Sequence, residues 1–330
     1  MVEKVEPYCS IVIRCYNEEQ HIGRLLSGIM QQMVKDVEII LVDSGSADAT
    51  LSIASQFPVK VVHICPEDFS FGRALNKGCD VALGKFLVFI SAHCYPIYNN
   101  WLEQLLAPFS DPSVALVYGK QRGNAITKFS EHQIFASWFP DKSNPQHDHP
   151  FCNNANCAIR RDIWERIPYD EELTGLEDID WAKKVMEIGY HVVYSPEAAI
   201  IHVHEEKPQQ IYNRYRREAI ALKQIVPEER FTLWDFIRLS TVNILADCSR
   251  AMKECVLLHN LKSIILFRYM QFWGVYKGFA QRDIVSRKLK QTFYYPNNQK
   301  HSINTKIENE REGRIDYSQF EVGDANENHY

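Results

Sequence analysis

Ser10-Ile11-Val12-Ile13-Arg14-Cys15-Tyr16-Asn17-Glu18-Glu19 decides how the rest of the chain is read. An apolar, β-branched run is cut off by a polar and aromatic turn, the pattern of a buried strand that ends at a surface. A second such run, residues 37–42, leads into Asp43-Ser44-Gly45-Ser46-Ala47-Asp48-Ala49-Thr50. Gly45 supplies the turn there, and Ser46 or Asp48 can cap a following helix. Two more runs lie at 59–64 and 86–90, with segments of helical length at 19–33, 47–56 and 71–82. Strand and helix alternate, so the first third predicts a mostly parallel sheet with right-handed crossovers. Ligands of such sheets sit at the carboxyl ends of the strands. The residues just after each run are therefore the first candidates for a site.

The length of 330 residues suits one large α/β domain with an appendage, or two modest domains. A formal charge of -5 gives no support to nucleic acid as a partner. The nine cysteines are odd in number and scattered without a CxxC pair. Buried reduced thiols account for them best, which points to a reducing, cytoplasmic compartment. Residues 1–8 are charged and lack the apolar core of a secretory signal, and no run of 18 apolar residues predicts a membrane-crossing helix. The expected division is a catalytic domain over 1–208, a helical region over 209–290, and a polar, disordered tail over 291–330. Within the middle part, a helix is expected at 177–188 and two short strands at 191–194 and 199–204.

The first two segments together resemble the start of the large family 2 of glycosyltransferases, relatives of cellulose synthase and chitin synthase. The resemblance implies the GT-A fold: an α/β, Rossmann-like nucleotide-sugar-binding sheet flanked by helices, here with a C-terminal helical extension. It also implies that Tyr16 and Asp43 hold the nucleotide base, supported by Glu18, with Arg14 beside them. Phe71-Gly72-Arg73-Ala74-Leu75-Asn76-Lys77-Gly78 matches a stretch that lies along the nucleotide in the family, at Arg73, Asn76 and Gly78. An ordinary amphipathic helix would read the same if it stood alone. A dinucleotide-binding reading fails, because no Gly-x-Gly-x-x-Gly follows the first strand, and no phosphate-loop pattern occurs.

Ser91-Ala92-His93 stands where the family usually has Asp-x-Asp, which holds a divalent cation against the sugar diphosphate. Imidazole is a competent ligand for transition ions and a poor one for magnesium, so Mn²⁺ is expected over Mg²⁺. The alternative is a lost metal site with His93 merely hydrogen-bonded. Ile200-Ile201-His202-Val203-His204-Glu205 adds two imidazoles that face one way if the segment is a strand. Here the resemblance narrows to the rhamnosyltransferase-like subgroup of bacterial polysaccharide enzymes. That subgroup usually has Asp where His93 stands, but with His93 as a partner the residues His93, His202 and His204 are the metal candidates, and Ser91 falls in the nucleotide site.

Thr174-Gly175-Leu176-Glu177-Asp178 has capping-box spacing, so its acids could serve only helix initiation. The resemblance assigns Glu177 and Asp178 to catalysis instead, with Asp178 taking the proton from an acceptor hydroxyl. Beyond it, a basic helix carries Arg214 and Arg217, candidates to neutralise diphosphate. The aromatic and basic stretch 264–277 fits an interfacial helix on a membrane, internal packing or a dimer contact. The implied activity moves a sugar from a nucleoside diphosphate, dTDP-rhamnose or a UDP-sugar, to a hydroxyl of a growing glycan, free or lipid-linked, with inversion. Two rivals stay open. A sugar nucleotidyltransferase would want a triphosphate loop near the first strand, where only Arg14 stands. A silent nucleotide-sugar-binding protein would not need Glu177 and Asp178.

Overall fold

A computed structural model describes residues 6–142, 149–281, 287–294 and 313–320. Eight strands form one sheet: β1 (Cys9–Cys15), β2 (Val37–Asp43), β3 (Val59–His63), β4 (Phe86–Ser91), β5 (Cys94–Pro96), β6 (Val114–Arg122), β7 (Asn156–Arg160) and β8 (His191–His202). Their order is β3-β2-β1-β4-β7-β6-β8-β5. The expected parallel arrangement holds for β1 to β4. It breaks at β7, which runs antiparallel to both β4 and β6, and the half beyond it is mixed. The two strands expected at 191–194 and 199–204 are one continuous β8, which pairs parallel with β6 and antiparallel with β5.

Alternation along β1 divides the core between two faces. Ile11 and Ile13 pack with Leu25 and Leu26 of α1 (Ile22–Met30), while Val12 faces Leu75 and Trp181 on the other side. The remaining helices of this domain are α2 (Thr50–Ala54), α3 (Phe71–Asp80), α4 (Trp101–Leu106), α5 (Phe129–Trp138), α6 (Arg161–Trp164) and α7 (Glu177–Glu187). The helix expected over 47–56 is shorter because Asp48 spends its carboxylate on the Thr50 N–H and on the turn after β1, at Glu19 N–H.

Beyond β8 come α8 (Pro208–Ile225), α9 (Leu233–Lys253), α10 (Leu257–Phe279) and α11 (Arg287–Tyr294). Gly274 and Gly278 let α10 lie against the α8 backbone. A Cβ at Gly278 would stand 2.6 Å from the Arg216 carbonyl oxygen. Arg268 on α10 is buried and forks onto Asp247 of α9 at 2.7 and 3.1 Å, and it also donates to the Ser130 carbonyl on α5. The stretch 264–277 therefore spends one face on internal packing, with Ile264, Phe267, Gln271 and Gly274 buried. Its rings cluster with α9, where Phe236 meets Trp273 edge-on at 5.3 Å. A lipid contact through that face is excluded.

Most of the tail expected to be disordered lies outside the described residues, but two parts of it are folded. Residues 291–294 finish α11, with Phe293 buried. Residues 313–320 dock on the catalytic domain, where Tyr317 donates to the Pro96 carbonyl at 2.8 Å and Ile315 is buried. The polar run before them hides a short apolar group, Ile315, Tyr317 and Phe320, that is enough to bind the chain back.

Because Asp247 and Arg268 are both buried, removing one leaves the other charge without compensation. Asp247→Ala is expected to cost about 3–5 kcal/mol of stability in a chemical denaturation series. An unchanged midpoint would show that the guanidinium reaches water or another acceptor.

Candidate active site

The register of the parallel strands lines up their carboxyl ends, pairing Cys15 with Asp43 and Arg14 with Ser91. A cleft opens there in two lobes of about 360 and 480 Å³ that share Arg14, Glu18, Ser91, His93, Arg214 and Arg217. The smaller lobe continues past Tyr16, Ser44, Phe69 and Tyr294. The larger one runs past Asn154, Asp178, His202 and His204. The turn that delivers Tyr16 and Glu18 puts Asn17 at φ 54, tolerable for Asn because its side chain bonds the Ala47 N–H at 2.8 Å.

Three imidazoles meet where the lobes join. Antiparallel pairing of β5 with β8 sets Cys94 opposite His202, which brings His93 alongside that ring. Each imidazole has its Nδ1 against a side-chain oxygen from a different element. His93 meets Glu18 Oε1 at 2.9 Å, His202 meets Gln121 Oε1 at 2.8 Å, and His204 meets Glu131 Oε1 at 2.7 Å. An Nδ1–H donated in each pair leaves each Nε2 as a lone pair. The Nε2 atoms of His93 and His202 are 3.1 Å apart, a spacing that two lone pairs hold only around a proton or a cation. Ligand atoms of all three residues lie within 4.8 Å of one another, so the donor set fits a metal ion. Burial, with His204 and His93 nearby, holds His202 well below its ordinary pKa and so keeps it a neutral ligand. Burial pulls His93 the same way, but the Glu18 carboxylate outweighs it and raises that ring.

The carboxylates sit across the cleft. Leu176 adopts a left-handed conformation, φ 56, directly before α7, a costly geometry for Leu that turns Glu177 and Asp178 inward. Thr174 does not cap α7 as its spacing suggested; its hydroxyl donates to the Arg217 carbonyl at 3.0 Å. Glu177 is engaged by Arg14 at 3.0 Å. Asp178 accepts the Asn154 N–H at 2.9 Å and lines the larger lobe. Burial, reinforced by neighbouring Glu177, raises the Asp178 carboxyl to about 7.

The basic side chains divide in an informative way. Arg214 lies between Glu131 and Glu206, at 2.7 Å from each, so its charge is already met. Burial works to raise Glu131, but His204 and Arg214 hold that carboxyl well below its usual range. Among the described residues Arg217 has one ion-pair partner, Glu218 at 4.0 Å, and the buried Nε of each arginine lacks a hydrogen-bond partner. The Phe71 ring has the Arg14 guanidinium at 4.7 Å and that of Arg217 at 4.5 Å, contacts that help hold both cations at the cleft. Of the two arginines proposed for diphosphate, Arg217 is the one with charge to spare.

Three other predicted residues do not face the cleft. Arg73 pairs with Glu171 at 2.7 Å. Asn76 is buried, bonding Trp164, Glu171 and the Tyr169 backbone. The Arg-x-x-Asn-x-Gly stretch thus ties α3 to residues 169–171 and to the sheet, where a Cβ at Gly78 would come 2.4 Å from Val12. Asp43 is buried, and its carboxylate accepts the Gly45 and Ser46 N–H groups. It shapes the turn that carries Ser44 into the smaller lobe.

Residues 10–167 match the family described as Glycosyl transferase family 2. The chain is a glycosyltransferase with a family 2 domain. It is 28% identical over 218 residues to the O-antigen chain rhamnosyltransferase RfbN of Salmonella typhimurium, covering 62% of this chain and 69% of that one. It is 27% identical over 221 residues to the O-antigen chain rhamnosyltransferase WbaN of Salmonella anatum, covering 63% and 70%. Its fold is that of the mannosyltransferase PcManGT from Pyrobaculum calidifontis, solved with GDP-Man and Mn²⁺, at TM-score 0.56, 17% identity and 89% coverage of both chains. The glycosyltransferase therefore has the GT-A fold, with a helical C-terminal region attached.

Sequence reading missed the groups that hold this site. Glu131 and Gln121 orient imidazoles, Phe71 helps hold two arginines, and Tyr294 closes the smaller lobe against Phe69 at 5.1 Å. Carbon-13 NMR of labelled carboxylates is expected to find Asp178 titrating near 7, about three units above an ordinary Asp. Glu177→Gln, which removes a neighbouring negative charge, is expected to lower that midpoint. A midpoint near 4 in the intact protein would mean that water reaches the carboxylate.

Proposed function

We propose that this glycosyltransferase moves a sugar from a nucleoside diphosphate to a hydroxyl of a growing, lipid-linked glycan in cell-surface polysaccharide synthesis, with inversion at the anomeric carbon. One observation carries the reading: Asp178, the three converging imidazoles and the loosely paired Arg217 all line one cleft. The similarity to two O-antigen rhamnosyltransferases favours dTDP-rhamnose as donor over a UDP-sugar. Nine free cysteines, most of them buried, favour the cytoplasm as the place of reaction.

The smaller lobe takes the nucleoside, with Tyr16 and Phe69 offering ring faces to the base and Ser44 a hydroxyl. Arg14 and Arg217, which Phe71 helps hold, meet the diphosphate where the lobes join. Held by His93, His202 and His204, a divalent cation would add positive charge against the departing diphosphate. Three imidazoles without a carboxylate among them suit manganese or another transition ion better than magnesium. Ser91 lies beside that position as a neutral neighbour.

In the larger lobe, Asp178 takes the proton of the acceptor hydroxyl as it attacks from the face opposite the leaving group. Only the ionised carboxylate accepts a proton, so the rate should rise with pH through the neighbourhood of 7 and level off above it. Glu177 stays with Arg14, and the Asn154 N–H holds Asp178 in place.

Release of nucleoside diphosphate across a panel of donors, before and after chelation, tests this reading. The wild-type chain is expected to turn over one donor, to lose activity on chelation and to regain it with Mn²⁺ more than with Mg²⁺. Asp178→Asn should lower turnover by about 100- to 10,000-fold while leaving donor affinity nearly unchanged. Near-normal turnover by that variant would remove Asp178 as the base. Full activity after exhaustive chelation would leave charge compensation to Arg217 and Arg14.

A further inference from the structure

The α9–α10 hairpin carries apolar side chains on its outer face. A helix on a soluble domain turns apolar residues inward and polar ones outward. The buried positions of α9 are Ser240, Asp247 and Ala251, all small or polar. Its outer side carries Trp234, 69% exposed, and Leu245 and Met252, each 63% exposed. On α10 the outer side continues with Leu258, Ile265 and Tyr269, and Leu258, beside the turn between the helices, is 94% exposed. Single exposed apolar residues are ordinary, but a row running along two antiparallel helices is not.

The charges around this row identify what covers it. Near the tip, Arg250, Lys253 and Lys262 stand against one carboxylate, Glu254, in a chain whose overall charge is -5. An apolar tip within a collar of cations complements a surface that is apolar inside and anionic outside. A second copy of this chain meeting it tip to tip would bring the two cationic collars together. Among the described residues no helix is long and apolar enough to cross a membrane, so the contact is made in the plane of the surface.

We propose that the α9–α10 hairpin docks the glycosyltransferase onto an anionic lipid surface, with Leu258 and Trp234 entering the interface and Lys253 and Lys262 meeting headgroups. The inner face of α10, with Phe267 and Arg268, remains packed on α5, α8 and α9 throughout. The docking surface is thus separate from the cleft and independent of which sugar is moved.

Co-sedimentation of the full chain with phosphatidylcholine–phosphatidylglycerol vesicles, and with phosphatidylcholine alone, tests this. Binding is expected to the anionic vesicles only and to weaken as salt is raised. Replacing two of the three collar cations, Lys253→Gln with Lys262→Gln, should weaken it roughly thirtyfold. Trp234→Ser and Leu258→Ser should also weaken it with thermal melting unchanged, since both side chains already face solvent. Failure to bind anionic vesicles, or binding indifferent to all of these substitutions, would overturn the proposal. A concentration-dependent dimer dissolved by Leu258→Ser in sedimentation velocity would also overturn it and assign the face to a second copy.

Discussion

Three imidazole rings are each gripped at Nδ1 by an oxygen from another part of the chain, and the architecture of the cleft follows from that constraint. Glu18 comes from the turn after β1, Gln121 from the end of β6 and Glu131 from α5. The rings themselves stand after β4 and at the end of β8. Holding all six groups in register requires both halves of the mixed sheet together with α5. Without the antiparallel pairing of β5 with β8, His93 would not reach the other two rings.

The C-terminal helices belong to the same construction. Glu131 faces His204 and Arg214 from α5, and the neighbouring Ser130 carbonyl is met by Arg268 of α10. Arg214 and Arg217 come from α8, which α10 holds through its glycine face. The helical region therefore supplies both a cation to the cleft and the frame that holds one of its imidazoles. That coupling explains why buried charge pairs join helices that would otherwise pack through apolar contact alone. A pair such as Arg268 with Asp247 adds little net stability over an apolar one, but it sets the register between helices.

Much of this was legible in the sequence wherever a local pattern carries the information. The β-branched runs ending in polar turns gave β1 to β4, and His202 and His204 stood out by their spacing. Glu177 and Asp178 were visible as an acidic pair, although the capping box suggested for them is replaced by a strained Leu176. What could not be read depends on contacts between distant residues. Arg14 meets Glu177 across 163 positions, and no local pattern announces that pair. Arg73 and Asn76 matched a family stretch, yet the same spacing serves equally well to tether a helix, and the structure uses it so. The folded part of the tail was obscured because a long polar run outweighs three apolar residues in any compositional view.

The grip of a side-chain oxygen on the Nδ1 of each imidazole is the claim on which the rest leans, and the tautomers report on it directly. Long-range proton–nitrogen NMR correlation on ¹⁵N-histidine-labelled protein distinguishes Nδ1–H from Nε2–H in each ring. The account predicts that, once a diamagnetic transition ion such as Zn²⁺ is added, His93, His202 and His204 carry their protons on Nδ1 and their Nε2 resonances shift together. Nε2–H tautomers that stay unmoved by the metal would contradict it.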